Sequence, residues 1–179
     1  MVATIGDSTF LHSGIPPLIS AIYNKQKFVL VILDNSTTAM TGRQPTAEHH
    51  PEIDIKKVVE GLGLKVHEYV YQNDINVTEA FCESLKKEHE AAEGPVVALV
   101  REFCVLDKPV MAEKPLPGQF ATVNLEDCTA CDRCLKEFNC PPFNQLEDGK
   151  VQIDPNFCVG CGACLNVVCP TDAFVGAEQ

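Results

Sequence analysis

Apolar residues in the first hundred positions occur in short blocks that predict strands. These blocks are Val2–Ile5, Phe28–Leu33, Lys65–Tyr71 and Pro95–Val100, and Phe28–Leu33 is apolar throughout. A strand with no polar face belongs in a sheet that helices cover on both sides. The four blocks therefore predict a parallel, doubly covered sheet.

The segments between these blocks predict helices. Apolar residues at helical spacing predict a first helix, with Pro16 and Pro17 near its start, where proline is tolerated. Ile53–Leu62 predicts a second helix. Asn76 is the predicted N-cap of a third helix that runs to about Glu93. The resulting order, β-α-β-α-β-α-β, is typical of an α/β domain.

Cysteine sets the character of the last third of the chain. A run of Cys-x2-Cys-x2-Cys is followed by a fourth cysteine and a proline, and the whole pattern recurs thirty residues later. The cysteines are Cys128, Cys131, Cys134 and Cys140 in the first copy, and Cys158, Cys161, Cys164 and Cys169 in the second. Glu147–Lys150 predicts a hairpin turn between the copies.

These patterns divide the chain into two domains and a connection. We expect the α/β domain over residues 1–106 and a small α+β domain over residues 122–179. Residues 107–121 contain three prolines and no periodicity, which predicts a linker.

Charge and composition exclude several classes of protein. A net charge of −11, with acidic residues spread along the chain, argues against a nucleic-acid partner. The longest apolar run is too short to span a bilayer, and no secretory signal is visible, so we expect a cytoplasmic protein without a membrane partner. In that compartment clustered thiols favour metal binding over a disulfide framework.

The cysteine repeat resembles the bacterial-type domain with two [4Fe–4S] clusters, in which the cysteine before proline ligates the cluster of the other copy. Both copies carry extra residues before that cysteine. Gly160 and Gly162 allow the backbone to approach inorganic sulfur. A pair of zinc sites is the alternative, but zinc leaves the third cysteine and the Cys-Pro ending unexplained. The resemblance implies one cluster on Cys128, Cys131, Cys134 and Cys169, and a second on Cys158, Cys161, Cys164 and Cys140.

Polar residues directly follow two of the predicted strands. Gly6–Ser8 predicts a tight turn after the first strand, and Asn35 follows the second. Parallel strands joined by one helix end side by side, so we expect Asp7 and Asn35 to face each other. The Asp7 carboxylate, the Asn35 amide and the Thr37 carbonyl predict a Mg²⁺ site completed by a diphosphate and water. A helix beginning near His12–Ile15 would direct its N–H groups at that anion.

The stretches GDSTFLHSGIPPLISAIYN and VILDNSTTAMTGRQP resemble the thiamine-diphosphate-binding domain of the 2-oxoacid:ferredoxin oxidoreductase superfamily, in its indolepyruvate branch. Members carry this domain followed by a two-cluster ferredoxin domain, so the resemblance covers nearly the whole chain. It implies a partial thiamine-diphosphate-binding fold, with thiamine diphosphate, Mg²⁺ and two [4Fe–4S] clusters as cofactors. The implied site residues are Gly6, Asp7, Ser8, Asn35, Thr37, Thr38 and Gly42 as cofactor contacts, and His12 as a catalytic candidate whose alternative role is structural.

The resemblance also implies an activity, namely oxidative decarboxylation of a 2-oxo acid to an acyl-coenzyme A. An aryl pyruvate, indolepyruvate above all, is the expected substrate, and the clusters would pass electrons to ferredoxin. Family members have further upstream domains and a partner beta subunit. We therefore expect the chain to be the C-terminal part of a longer or split subunit that is inactive without them.

Two other functions fit the sequence. The first is a stand-alone iron–sulfur electron carrier whose α/β domain binds nothing. The second is an oxidoreductase that acts on pyruvate or another 2-oxo acid.

Overall fold

The computed structural model describes residues 1–107, 112–113, 116, 118–167 and 169–177 of the 179-residue chain. The chain divides into two compact units, Met1–Pro115 and Leu116–Gln179. The predicted linker over residues 107–121 lies partly outside the described residues. No helix in the described part of the chain is long and apolar enough to cross a membrane.

A four-stranded parallel sheet forms the centre of the first unit, which confirms the predicted α/β fold. The strand order is β1-β2-β6-β5, so β2 and β6 are the inner strands. After β2 comes a short antiparallel hairpin, whose strands β3 and β4 have two residues each. The strands are β1 (Val2–Gly6), β2 (Val29–Asp34), β3 (Thr37–Thr38), β4 (Gln44–Pro45), β5 (Val66–Val70) and β6 (Val96–Arg101).

Helical structure begins at the first residue after β1. It comprises α1 (Asp7–Thr9), a π-helical turn (Phe10–Gly14) and α2 (Ile15–Tyr23). Pro16 and Pro17 open α2. A proline has no N–H and its ring clashes with the carbonyl four residues earlier, which accounts for the widened turn before the two prolines. The predicted turn at Gly6–Ser8 is therefore wrong, because helical structure begins at Asp7. The helix predicted to begin near His12–Ile15 is α2, which starts at Ile15.

The later helices of the first unit begin at aspartate N-caps. They are α3 (Ile55–Gly61) and α4 (Ile75–Ala91), and two 3₁₀ turns, Ala39–Thr41 and Ala47–His49, precede them. Asp54 accepts the Lys56 N–H at 2.7 Å, and Asp74 accepts the Asn76 N–H at 2.9 Å. The predicted N-cap at Asn76 is wrong, because both residue types cap well and the backbone becomes helical right after Asp74.

Apolar side chains cover both faces of the sheet, as the unbroken apolar character of Phe28–Leu33 predicts. One face carries the larger cluster, in which Ile32 and Leu99 of the two inner strands are fully buried. A smaller cluster on the opposite face contains Leu85 of α4 and Ala98 of β6. The larger cluster comprises Phe10, Leu18, Leu30, Ile32, Ile55, Val59, Val97 and Leu99.

The second unit is small and consists of two antiparallel strand pairs with short helical turns. β7 (Phe120–Val123) pairs with β10 (Phe174–Ala177), and β8 (Phe143–Gln145) pairs with β9 (Val151–Ile153). Between β8 and β9 lies the predicted hairpin turn, in which Gly149 has a φ of +83°. A π-helical turn (Cys134–Phe138) and α5 (Ala163–Val167) follow the two cysteine runs. This strand-rich region agrees with the expected α+β domain.

Candidate cofactor site and cysteine clusters

The carboxyl ends of β1, β2 and β6 meet at one edge of the sheet. In the strand register Gly6 lies opposite Leu33, and Asp34 lies opposite Arg101. Asp7, the first residue after β1, therefore comes beside Asp34, the last residue of β2. In parallel sheets such strand ends are the usual position of ligands.

Asp7 is the residue at this edge whose bonding is incomplete. Asp7 is 4% exposed. Burial raises the pKa of Asp7, the backbone N–H groups of Ser8 and Ser36 oppose that rise, and the Asp34 carboxylate adds to it. Its Oδ2 atom is buried and has no hydrogen-bond partner among the described residues. A buried carboxylate oxygen without a donor is costly, so this atom fits a cation.

Asp7 belongs to a group of three crowded carboxylates. Oxygens of Asp7, Asp34 and Glu48 all lie within 4.8 Å of one another. Burial raises the pKa of Glu48, although the N–H of Ile55 and the Arg101 guanidinium oppose that rise. The sequence analysis did not identify Asp34 or Glu48 as part of the site.

Arg101 is the cation that this edge of the sheet already contains. Its Nε donates to Asp34 Oδ2 at 3.0 Å, and its guanidinium lies 3.4 Å from a carboxylate oxygen of Glu48. Asp54 lies 3.4 Å from the same Nη2 atom as Glu48, and Glu68 lies 3.4 Å from Nη1. Burial lowers the pKa of Arg101, but the four carboxylates outweigh that effect and raise it. The sequence does contain a signal for this pair. One apolar strand ends in Arg101 and another ends in Asp34, and such a pattern could have predicted that the two residues meet.

The loop after β2 is shaped by short side-chain to backbone bonds. Asp34 Oδ1 accepts both the N–H of Ser36 at 3.0 Å and its hydroxyl at 3.4 Å. Ser36 has a φ of +58°, and the Asn35 amide oxygen accepts the Thr37 N–H at 3.1 Å. Across the edge, Thr38 Oγ1 donates to Ser8 Oγ at 3.3 Å. These bonds join the start of the first helix to the loop between β2 and β3.

The remaining predicted site residues occupy different positions. Gly6 ends β1 in open space, because a Cβ there would meet nothing within 4 Å. Gly42 has a φ of +113° and caps the 3₁₀ turn beside the β3–β4 hairpin. His12 is exposed on the π-helical turn. Asn35 and Thr37 line a cavity of about 280 Å³ together with Arg43, His49 and Cys104. That Asp7 and Asn35 share one cation stays a prediction.

The cysteines of the second unit form two groups. Burial raises the pKa of Cys164 to about 11, and thiols from both copies of the repeat, Cys161, Cys140 and Cys158, contribute to the rise. Burial and the same neighbours, Cys161 and Cys158, raise the pKa of Cys140. A separate cavity is lined by Cys128, Cys131, Cys134 and Cys169. The fourth cysteine of each copy therefore lies with the first three of the other copy.

The two cysteine runs share an unusual backbone. Gly160 and Gly162 have φ values of +71° and +69°. Ala130 and Asp132, at the equivalent positions of the first run, have φ values of +54° and +59° although they are not glycines. Successive N–H groups in such conformations converge into a concave surface that binds anions. The sequence analysis found this feature only in the run that contains glycine.

The packing of thiols differs from that of a single-ion site. Among the residues that the structure describes, the only three potential ligand atoms within 4.8 Å of one another are carboxylate oxygens. Four thiolates on one zinc ion, with Zn–S distances near 2.3 Å, require sulfur atoms about 3.8 Å apart. The cysteine groups are therefore more open than a zinc site needs.

Comparisons with known proteins agree with both units. Residues 1–100 match the family of the thiamine pyrophosphate enzyme, C-terminal TPP binding domain, and residues 149–171 match a 4Fe-4S binding domain. A solved thiamine diphosphate-dependent 4-hydroxybenzoylformate decarboxylase from Rhodococcus jostii RHA1 is 26% identical with a TM-score of 0.38. The matched region covers 57% of this chain and 19% of the decarboxylase.

Two curated relatives match almost the whole chain, and both are named indolepyruvate oxidoreductase subunit IorA. The one from Methanothermobacter marburgensis is 40% identical over 97% of this chain, and the one from Archaeoglobus fulgidus is 40% identical over all of it. The chain spans 28% and 29% of the length of these relatives. The resemblance predicted from the sequence is confirmed. Because the match over residues 1–100 covers more than half of the chain, the chain belongs to the family of thiamine pyrophosphate enzymes that carry this C-terminal TPP-binding domain.

Proposed function

We propose that this chain supplies the diphosphate-and-cation site and the electron-transfer clusters of a 2-oxoacid:ferredoxin oxidoreductase. The enzyme would oxidatively decarboxylate an aryl pyruvate, indolepyruvate above all, to an acyl-coenzyme A. Its electrons would leave through two [4Fe–4S] clusters to ferredoxin. The two relatives named indolepyruvate oxidoreductase subunit IorA support this choice of substrate.

The observation that carries the proposal is the unpartnered Oδ2 atom of Asp7. It lies at a ligand-binding edge of a parallel sheet, in a domain of the TPP-binding family. Mg²⁺ prefers oxygen ligands and keeps places for substrate phosphates. We assign Asp7 Oδ2, the amide oxygen of Asn35 and the carbonyl of Thr37 as its protein ligands.

The surroundings of Asp7 suit the diphosphate that such a cation would hold. Gly6, the last residue of β1, has open space where a side chain would lie. The first helix has no side-chain cap at Gly6, so N–H groups of its first turn remain available to an anion. The hydroxyl of Ser8, which accepts from Thr38 Oγ1, keeps its own proton and offers a further donor.

Thiamine diphosphate supplies the electron sink that decarboxylation of a 2-oxo acid needs. The residues of this chain bind and orient its diphosphate end through the cation. The cysteine groups then provide the route for electrons. Each cysteine group takes three thiolates from one copy of the repeat and one from the other, which is typical of two-cluster ferredoxins. Its sulfur atoms also lie farther apart than a zinc site requires.

The proposed partners follow from the same assignment. The chain covers less than a third of the length of its relatives, so the thiazolium and aminopyrimidine ends of the cofactor would contact domains outside residues 1–179. A beta subunit, coenzyme A and ferredoxin complete the proposed reaction. His12 is proposed as a residue near the reacting end, since it is exposed rather than packed in the core.

Calorimetric titration of the 179-residue chain with thiamine diphosphate tests the cation site. We expect binding that requires Mg²⁺ and that Asp7→Asn abolishes. Glu79→Gln, which removes an exposed carboxylate from α4, is the matched control and should bind like the parent. Failure of the parent chain to bind would refute the cofactor site and leave the stand-alone electron carrier.

Anaerobic reconstitution with iron and sulfide tests the clusters. Two four-iron clusters predict about eight irons per chain. We expect Cys164→Ser to lose one cluster, whereas Cys82→Ser, on the exposed face of α4, should keep both. Uptake of zinc in place of iron, or of one cluster only, would contradict this part of the proposal.

A further inference from the structure

We propose that Arg101 is a positioning residue for the cation site. Through Asp34 it holds the loop after β2, which carries the proposed cation ligands. Because it pairs with two of the three crowded carboxylates, Asp34 and Glu48, only Asp7 of that group is left to bind the cation. This inference rests on the proposed function, because it concerns the same cation.

Arg101 is placed for this role by the sheet itself. It is the last residue of β6 and lies in register with Asp34, the last residue of β2. Asp34 is 5% exposed, and its Oδ2 receives the Arg101 Nε at 3.0 Å. The Nη2 atom of the same guanidinium lies 3.4 Å from Glu48 Oε1. Two of the three crowded carboxylates thus have a cationic partner, and Asp7 has none among the residues that the structure describes.

The bonds continue from Asp34 to Asp7. Asp34 Oδ1, the oxygen that Arg101 does not use, accepts the N–H and the hydroxyl of Ser36. Ser36 has a left-handed φ of +58°, which a residue other than glycine adopts only when its surroundings hold it there. Carboxylate oxygens of Asp34 and Asp7 lie within 4.8 Å of each other, and the Ser36 N–H lowers the pKa of Asp7. Arg101 therefore acts on both the conformation of the loop and the surroundings of Asp7.

Loss of Arg101 would change what the cation meets. Asp34 and Glu48 would lose their partner while they remain buried beside Asp7, and mutual repulsion would favour rotation of a carboxylate away from the other two. A rotated Asp34 would release Ser36 and change the geometry that the cation meets. Removal of residues that orient metal ligands typically weakens metal affinity 10–100-fold.

The test measures the affinity of the full chain for thiamine diphosphate in the presence of Mg²⁺. We expect Arg101→Met to bind about 10–100-fold more weakly than the parent. Arg101→Lys should be intermediate, since it keeps the charge and loses the planar fork. Lys56→Met is the matched control, because Lys56 pairs with Glu68 on the rim of the same network and should leave affinity unchanged.

A double-mutant cycle separates positioning through Asp34 from a general effect on stability. If Arg101 acts through Asp34, Arg101→Met should cost little further affinity in a chain that already carries Asp34→Asn. Thermal unfolding and iron content, recorded on every variant, show whether the fold is kept. Additive losses of affinity would overturn the route through Asp34.

The outcomes distinguish this inference from the proposed function. If the parent binds and Arg101→Met binds equally well, the inference is overturned and the cofactor site stands. If the parent does not bind, both are overturned. Should Arg101→Met fail to fold, Arg101→Lys decides, because parental affinity in that folded variant would overturn the inference.

Discussion

The two units of this chain assemble chemistry in opposite ways. In the sheet unit, the charged edge joins Asp7, Asp34 and Arg101, which stand on three strand ends and are far apart in sequence. In the cysteine unit, three of four ligands of each proposed cluster lie within seven consecutive residues. The first site depends on the topology of the sheet, whereas the second is determined largely by the spacing of cysteines along the sequence.

The cores of the two units differ in whether they contain candidate metal ligands. The main core of the sheet unit is aliphatic apart from Phe10. The core of the cysteine unit consists of six buried residues, of which Cys134 and Cys164 are two. The same thiols would bind metal and fill the core, so folding and cluster binding should be coupled in the second unit only. Each of the following predictions tests that contrast.

Removal of iron should have the largest effect. After reconstitution, a chelator should unfold the cysteine unit, because its thiols lose the ligand that holds them together and the remaining core is small. The sheet unit should keep its structure. Hydrogen exchange with mass spectrometry resolves the two: protection should vanish in Phe120–Val123 and Phe174–Ala177 and persist in Val96–Arg101. Protection retained in both units would end the proposed contrast.

Truncation of a core residue in the sheet unit should come next. Leu99→Ala removes a fully buried side chain from an inner strand and should lower the free energy of unfolding by about 2–5 kcal/mol. Leu33→Ala on the neighbouring strand, where the side chain is 48% exposed, should cost under about 1 kcal/mol. Urea denaturation measures both. Iron content should not change in either variant, and a loss of iron in Leu99→Ala would contradict separate cores.

The hairpin turn of the cysteine unit should give a smaller effect. Gly149 has a φ of +83°, so Gly149→Ala should destabilise this unit by about 1–2 kcal/mol. Gly94→Ala is the control, because that glycine has no positive φ and an added Cβ there meets nothing within 4 Å. Thermal unfolding of the reconstituted chain compares the two. Equal effects would show that the turn conformation does not matter.

The pH dependence of the sheet unit should be the smallest effect. Burial lowers the pKa of His67 on β5 below its usual 6.5, and Lys65 adds to this shift. The unfolded chain then binds the proton more tightly, so stability should fall as the pH drops through 6.5 towards the folded pKa. His67→Gln should flatten that slope in urea denaturation at several pH values. The exposed His50→Gln should not, and an unchanged slope in His67→Gln would refute the assignment.

Sequence reasoning predicted the parallel sheet and the internal repeat, because each is encoded in short-range patterns. An unbroken apolar block such as Phe28–Leu33 is typical of a strand in a sheet that is covered on both faces. Cysteines at fixed spacing before Cys-Pro are similarly specific. The start of the first helix at Asp7 and the N-cap at Asp74 were missed, since several nearby residues cap equally well and backbone geometry selects among them.

The sequence by itself determined which residue types are available at each strand end and which thiols can share a cluster. Only the tertiary structure decided that Arg101 partners Asp34 and Glu48 and that one oxygen of Asp7 stays unpaired. The reason is physical: a hydrogen-bonded register between strands aligns residues that no local pattern relates, and burial then makes each unsatisfied charge costly. The sequence already predicted Asp7 as a cation ligand, and the fold supplied the neighbours among which its Oδ2 has no partner in the described part of the chain.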